Sequence, residues 1–264
     1  MGTARPPRWL AAPAALALAF LLLPLAALVG RVRWTTLWGD ITSPAALSAL
    51  GLSVATATAA TGLCLLVGVP LAVLLARTRP AVAGVLRALV TVPLVLPPMV
   101  GGLALLLLAG RSGWLGGPLA AAGVQLPFTT TAVVLAQAFV ALPFLVLTVE
   151  GVLRAGGTGY EDAAASLGAS PGRVLARVTL PLARPGIVAG VVLCFARAMG
   201  EFGATALFAG NAPGTTRTMP LAIYTAFTGS GVDQGAALAL ALLLLVAALV
   251  MLVALRPWRS EPSR

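Results

Sequence analysis

Arg197 and Glu201 stand four residues apart inside a long apolar run of this 264-residue sequence. Charges in such a setting are expensive and are more often functional than decorative. Four residues make about one helical turn, so the spacing places both on one helix face, where they can pair. Little else in the sequence can run chemistry. All 17 basic residues are Arg and there is no His. A nucleotide-binding P-loop needs its Lys and zinc-protease motifs need paired His, so neither is available here. With no Ser/His pair and no metal-ligand cluster, the expectation is no catalytic residue, no metal site and no enzyme activity of the chain's own. Cys64 and Cys194 lie within apolar runs, where a small thiol packs, and they receive no role.

A second group breaks helices instead of carrying charge. Pro97 and Pro98 interrupt any helical ladder passing through them, and Gly101 and Gly102 let a neighbouring backbone approach closely. Such a break either lines a cavity, as a gate would, or only improves packing.

The elements that hold these residues follow from composition. The sequence is 59% hydrophobic and 9% charged, with a mean hydropathy of +1.02. A water-soluble domain of this size cannot bury that much apolar surface, so the surplus faces lipid. A bilayer core takes about 20 apolar residues of helix. Six stretches meet that length, near Trp9–Val29, Leu52–Ala76, Ala88–Ala109, Ala132–Leu153, Ile187–Ala209 and Ala236–Leu255. The expectation is an all-α membrane protein with about six transmembrane helices in a single domain, 1–264. The first run follows Arg5 and Arg8 as a signal peptide would, but it exceeds the usual apolar core of such peptides and is kept as a span. The second run starts early, at Ala45, which predicts a helix that tilts or starts in the interface. Its Ser53, Thr56, Thr58 and Thr61 suit close helix packing.

The net charge of +10 sets orientation. No basic patch interleaved with exposed aromatics is present, which sets nucleic acid aside. Arg5, Arg8, Arg77, Arg79, Arg87, Arg154, Arg173, Arg177, Arg184, Arg256, Arg259 and Arg264 fall on one side of a six-span topology. Only Arg31, Arg33, Arg111 and Arg217 fall on the other. The positive-inside rule then predicts a multi-pass protein of the cell membrane with both termini cytoplasmic.

The longest cytoplasmic segment runs from about 154 to 185. Its acids and alanines, Tyr160-Glu161-Asp162-Ala163-Ala164, predict a short helix that stops at Gly168. A second short helix is predicted from Pro171 through Arg177, ending before Leu180-Pro181. The run Asp162-Ala163-Ala164, then Gly168, then Val178-Thr179-Leu180-Pro181 resembles the EAA loop of ABC importer permeases, E-A-A-x3-G-x9-I-x-L-P, with Asp for Glu and Val for Ile. In that family the loop forms coupling helices that dock on an ATPase subunit. The resemblance implies a type I ABC importer permease fold, with Glu161, Asp162, Ala163, Ala164, Gly168, Leu180 and Pro181 as ATPase-coupling residues.

Further segments resemble molybdate importer permeases in particular: Leu96-Pro97-Pro98-Met99-Val100-Gly101-Gly102, the run from Phe195 through Arg197 and Glu201 to Thr205, Ala209-Gly210-Asn211-Ala212-Pro213-Gly214, and Met219 to Tyr224. Sulfate and thiosulfate permeases are the next nearest, since they share a G-E-[FY]-G run like Gly200–Gly203, and tungstate remains an alternative substrate. The resemblance implies a homodimer with two ATPase subunits and an external molybdate-binding protein. This chain would bind no cofactor, and ATP and Mg would be used by the partner ATPase. The expected path or gate comprises Pro97, Pro98, Gly101, Gly102, Arg197 and Glu201. A bare carboxylate would repel a dianion, so Glu201 is expected to neutralise Arg197 or contact another helix. The competing class is an ion-coupled secondary transporter, which commonly relays protons through intramembrane acids. Against it stand the absence of a visible repeat and Glu201 as the one acid deep in a span.

Overall fold

The computed structural model describes residues 7–228 and 233–254, which are helical apart from their turns and connecting loops. Arg5, Arg256, Arg259 and Arg264, used above for orientation, lie outside the described residues, as does Leu255 at the end of the sixth expected span. Helix α1 (Ala11–Arg31) is followed by the short α2 (Leu37–Ile41) and by α3 (Pro44–Arg77). Ser43 caps α3 by accepting the Ala46 N–H at 3.3 Å, and Pro44 occupies a first-turn position where no partner for its missing N–H is needed. With 34 residues, α3 is about 51 Å long at 1.5 Å per residue and exceeds a hydrocarbon core of about 30 Å, as its oversized apolar run predicted.

The third expected span is two helices, α4 (Pro80–Val95) and α5 (Pro98–Ala109), meeting at 110°. The cause is local. A residue before proline is disfavoured in the helical region, and Leu96 and Pro97 both precede a proline. Both are extended, with ψ of 136° and 131°, so one helix ends and the next begins at Pro98. After α6 (Gly116–Ala121), α7 (Thr130–Gly156) starts at Thr129, whose hydroxyl accepts the Ala132 N–H at 3.2 Å.

The polar connection holds α8 (Gly159–Ser166) and α9 (Pro171–Val174). The second short helix does not end before Leu180-Pro181, contrary to expectation. A π-helical turn over Leu175–Thr179 leads directly into α10 (Leu180–Met199), and Pro171–Met199 forms one continuous span-length helix. A wide turn shifts the hydrogen-bond pairing where Pro181 cannot donate, which lets the chain continue through it. The fifth span is displaced in turn. It was expected to reach Ala209, but α10 stops at Met199, and a separate α11 (Gly203–Phe208) follows. Then come α12 (Met219–Phe227) and α13 (Gln234–Ala254). Among the described residues, five helices are long and apolar enough to cross a membrane, or six when the bent α4–α5 pair counts as one span.

Helices α3, α7 and α10 form the core, and α7 is the most enclosed of the spans. The contact faces are built from small residues: Ala57, Ala60, Cys64 and Ala72 on α3, Ala138 and Ala141 on α7, Ala183, Cys194 and Ala198 on α10. Small side chains let the backbones approach, which drives helix association in lipid. At Gly190 the approach is close enough that a Cβ would sit 3.3 Å from the Leu145 Cα. Helix α1 buries no residue against the rest of the chain and presents its apolar surface outward. On α3, the Thr56, Thr58 and Thr61 hydroxyls donate to carbonyls of their own helix. Ser53 instead accepts the Met219 N–H at 2.7 Å and fixes the start of α12.

Candidate functional site

Two assemblies stand at separate places in the fold. The first is the knob made by α8 and α9. Thr158 precedes α8, its carbonyl accepts the Asp162 N–H at 2.9 Å and its hydroxyl donates to the Asp162 carboxylate at 2.8 Å, so Asp162 fixes the helix start. At the other end the Gly168 N–H donates to the Ala165 carbonyl at 2.9 Å and the Ala169 N–H to the Ala164 carbonyl at 3.1 Å. That double closure requires a left-handed residue, and Gly168 has φ of 83°. Leu167, 89% exposed, projects beside it, and Asp162 and Ala163 are exposed on the same small helix. Leu180 and Pro181 open α10 behind the π turn.

Glu161 does not belong to that exposed surface. Its carboxylate accepts from Arg77 Nε at 2.7 Å and Nη2 at 2.9 Å, and from the Thr179 hydroxyl at 2.8 Å. Arg77 also donates to the carbonyls of Leu153 (3.3 Å) and Gly157 (3.1 Å). One ion pair therefore ties the knob to the ends of α3 and α7 and to the π turn. The Arg77 hydrogen bonds hold the Glu161 carboxyl below the usual carboxylate range, with partial burial opposing them.

The second assembly joins the two broken spans. A Cβ on Gly102 would lie 2.7 Å from the Ala204 carbonyl oxygen, so α5 and α11 touch through backbone. Gly101 faces the Phe139 ring, and a Cβ on Gly203 would meet Pro98 at 3.0 Å. The break at Pro97-Pro98 thus abuts the break at Gly200–Phe202. Glu201 lies beyond the end of α10, not on the same helix face as Arg197, yet the two still meet. Arg197 Nη2 is 2.7 Å from Glu201 Oε2, an ion pair by distance without an aligned N–H. Glu201 Oε1 accepts the Ala204 N–H at 2.9 Å and so satisfies a first-turn donor of α11. Glu201 is 1% exposed, whereas a quarter of the Arg197 side chain remains accessible. Phe202 packs on Tyr224 of α12, ring centres 5.0 Å apart.

Sequence reasoning missed two groups. Gln137 is fully buried on α7, and neither amide atom has a hydrogen-bond partner among the described residues. The Thr205 hydroxyl on α11 is in the same position. Val133, Ala136 and Val140 around Gln137 share a core with Ala204 and Phe208 around Thr205, which puts both orphans at the α7–α11 contact. A lone amide within an apolar span was the available signal. The second group is Glu150, 3% exposed near the end of α7 and held by Arg87 of α4 and Arg154 of α7. Glu201 is therefore not the only buried acid. Arg87 and Glu150 are 63 residues apart on different helices, so that adjacency was not legible, whereas Arg154 follows Glu150 by four residues on α7.

The profile of the family described as "Binding-protein-dependent transport system inner membrane component" matches residues 68–256. The chain belongs to that family. Among similar permeases, the "Molybdenum transport system permease protein ModB" of Mycobacterium tuberculosis is 54% identical over 247 residues, covering 93% of this chain and 92% of that protein. The "Sulfate transport system permease protein CysT" of Escherichia coli is 36% identical over 247 residues, covering 92% and 88%. As a fold, the permease resembles a chain of a bacterial ABC transporter importing alginate (TM-score 0.65, 16% identity, 95% and 94% covered) and one of the MetNI methionine ABC transporter (TM-score 0.61, 19% identity, 80% and 95% covered). This permease is a multi-pass inner-membrane protein with the ABC importer permease fold, as the EAA resemblance implied.

Proposed function

We propose that this chain is the transmembrane permease subunit of an ATP-binding-cassette importer that carries an oxyanion, molybdate, into the cytoplasm by alternating access. What carries the substrate is the likeness, at 54% identity over nearly the whole of both chains, to permeases named for molybdenum transport. What supports the mechanism is the knob, a small helix pair clamped to three spans through Glu161 and Arg77. A clamped element transmits force from a soluble motor, as a flexible loop cannot.

The functional unit is a homodimer with two ATPase subunits, which use ATP and Mg, and an external molybdate-binding protein. Asp162, Ala163, Ala164, Gly168, Leu180 and Pro181 couple to the ATPase, and Glu161 holds the coupling element in place from behind. The termini and the 154–185 loop face the cytoplasm. Pro97, Pro98, Gly101, Gly102, Arg197 and Glu201 form the moving part of the path, with Glu201 neutralising Arg197 and not touching the anion.

The experiment is ATP hydrolysis by the complex reconstituted in lipid with its binding protein loaded in turn with molybdate, tungstate and sulfate. Molybdate should stimulate most. Equal or greater stimulation by sulfate overturns the substrate, and no stimulation by any loaded binding protein overturns the importer. Labelling of a Ser170→Cys variant lacking Cys64 and Cys194 reads the topology, and reaction from outside intact cells overturns it.

A further inference from the structure

At the root of the knob, a cavity of about 300 Å³ opens between the α3–α4 turn and the end of α7, lined by Arg77, Thr78, Pro80, Ala83, Arg154 and Thr158. Its arginines are unequally paired. Arg87 donates from Nε to both oxygens of Glu150, at 3.2 Å each, and its Nη2 also meets Oε1. Arg154 reaches that same carboxylate only at 3.5 Å, and its side chain is 54% exposed. Arg77 is matched by Glu161. Arg87, Arg154 and Arg77 engage Glu150 and Glu161, with the Asp162 carboxylate behind the Thr158 hydroxyl, and Arg154, the most exposed of the three, is the most loosely held, at the cavity wall.

Several donors border this space. Arg154 engages Glu150 through Nη1 alone and keeps the rest of its planar fork, Arg77 Nη1 makes one bond at 3.3 Å and retains a second N–H, and the Thr78 hydroxyl adds another. A guanidinium fork beside hydroxyls matches the geometry of a tetrahedral oxyanion. The cavity also lies where the apolar runs of α3 and α7 end and the polar 156–159 connection begins. That is the depth of lipid headgroups, and basic pockets between spans at this depth take anionic headgroups.

We propose that this cavity binds a phosphate-class oxyanion at the membrane–water boundary, held by Arg154 and Arg77. The occupant draws on the same Arg77 that clamps Glu161, so occupancy is felt at the root of the knob. The inference does not depend on which anion is transported.

The test uses the purified full-length chain in its ATPase complex, in phosphatidylcholine nanodiscs. Short-chain phosphatidylglycerol or inorganic phosphate is titrated at constant ionic strength, and the shift of the unfolding midpoint gives an apparent affinity. Arg154→Gln should weaken that affinity about tenfold, the loss expected for one charge-assisted contact. Arg184→Gln, which removes an exposed arginine of α10 away from the cavity, should leave it unchanged. If Arg154→Gln does not fold, Arg154→Lys, which keeps charge but not the fork, should still weaken it. Response to phosphatidylglycerol alone assigns the phosphate to lipid, and an equal response to inorganic phosphate assigns it to a soluble anion. No response to either, or equal losses in the Arg154 and Arg184 variants, overturns the site.

Discussion

Arg77 and Glu161 lie 84 positions apart, yet they form a two-pronged ion pair with both contacts at 2.9 Å or less. The pair is partly enclosed, with 24% and 14% of the two side chains accessible. Arg77→Met strands a half-buried carboxylate and should loosen the docking of α8 by about 3 kcal/mol. Hydrogen exchange of amides 159–168 should speed up accordingly, while membrane insertion is retained. Unchanged exchange means that the pair does not hold the knob.

The same contact fixes a pH response. Because the folded carboxyl is held below its ordinary value of 4.5, the clamp contributes fully above that value and weakens as pH falls through the lower, folded one. Amide protection in α8 should therefore be flat from neutral pH to about 5 and decline only in stronger acid. Glu161→Gln should remove this acid limb. A loss of protection already between pH 7 and pH 5 contradicts the assignment.

Gly168 makes a different prediction from the one its open surroundings imply. No atom would lie within 4 Å of an added Cβ, so the penalty is confined to the backbone at φ of 83°. Gly168→Leu should cost about 1–2 kcal/mol in the turn and uncouple transport from ATP hydrolysis, whereas Gly168→Asn should retain much of the coupling. Equal damage by both points to a crowded ATPase contact instead.

Much of this architecture was legible in the residues themselves. Long apolar runs predicted the spans, Pro97-Pro98 the sharp bend, and Gly168 the turn of the knob. The break at Gly200–Phe202 was not, because no proline marks it and it rests on Glu201 turning forward to the Ala204 N–H. The motif groups Glu161 with the coupling residues, and its clamp to Arg77 does not show in the sequence because the two lie 84 residues apart. Likewise, nothing local announces that Arg87, midway along α4, meets Glu150 of α7.

Glu201 has two tasks that substitutions can separate. Arg197→Met and Glu201→Gln each leave one charge uncompensated and should each lower folded complex or transport sharply, by on the order of 3 kcal/mol, with the double variant recovering part of the loss. Gln keeps an oxygen for the Ala204 N–H, so Glu201→Leu should be worse than Glu201→Gln. Strictly additive single effects show that the two residues do not act as a unit. A silent Glu201→Gln beside an inactive Arg197→Met instead makes Arg197 a landmark on the anion's route.

Gln137 offers a test in the opposite direction. Replacing a fully buried amide that has no partner among the described residues with Leu removes a desolvation penalty, so Gln137→Leu should raise stability by about 1–3 kcal/mol. Transport should fall if the amide is retained for a step of the cycle. A destabilised variant shows that the amide is satisfied in the folded protein.

The helix that starts at Pro171 in the knob runs for 29 residues and ends at Met199, two residues before Glu201. At 1.5 Å per residue it is about 43 Å long, so a tilt of about 5° at one end moves the other by about 4 Å. Under the proposed coupling it would act as a lever, carrying a short displacement at the knob to the discontinuity facing Pro98 and Gly102. No chain of side-chain relays is needed between the two, and a kink introduced midway along it should disconnect hydrolysis from translocation without touching either end.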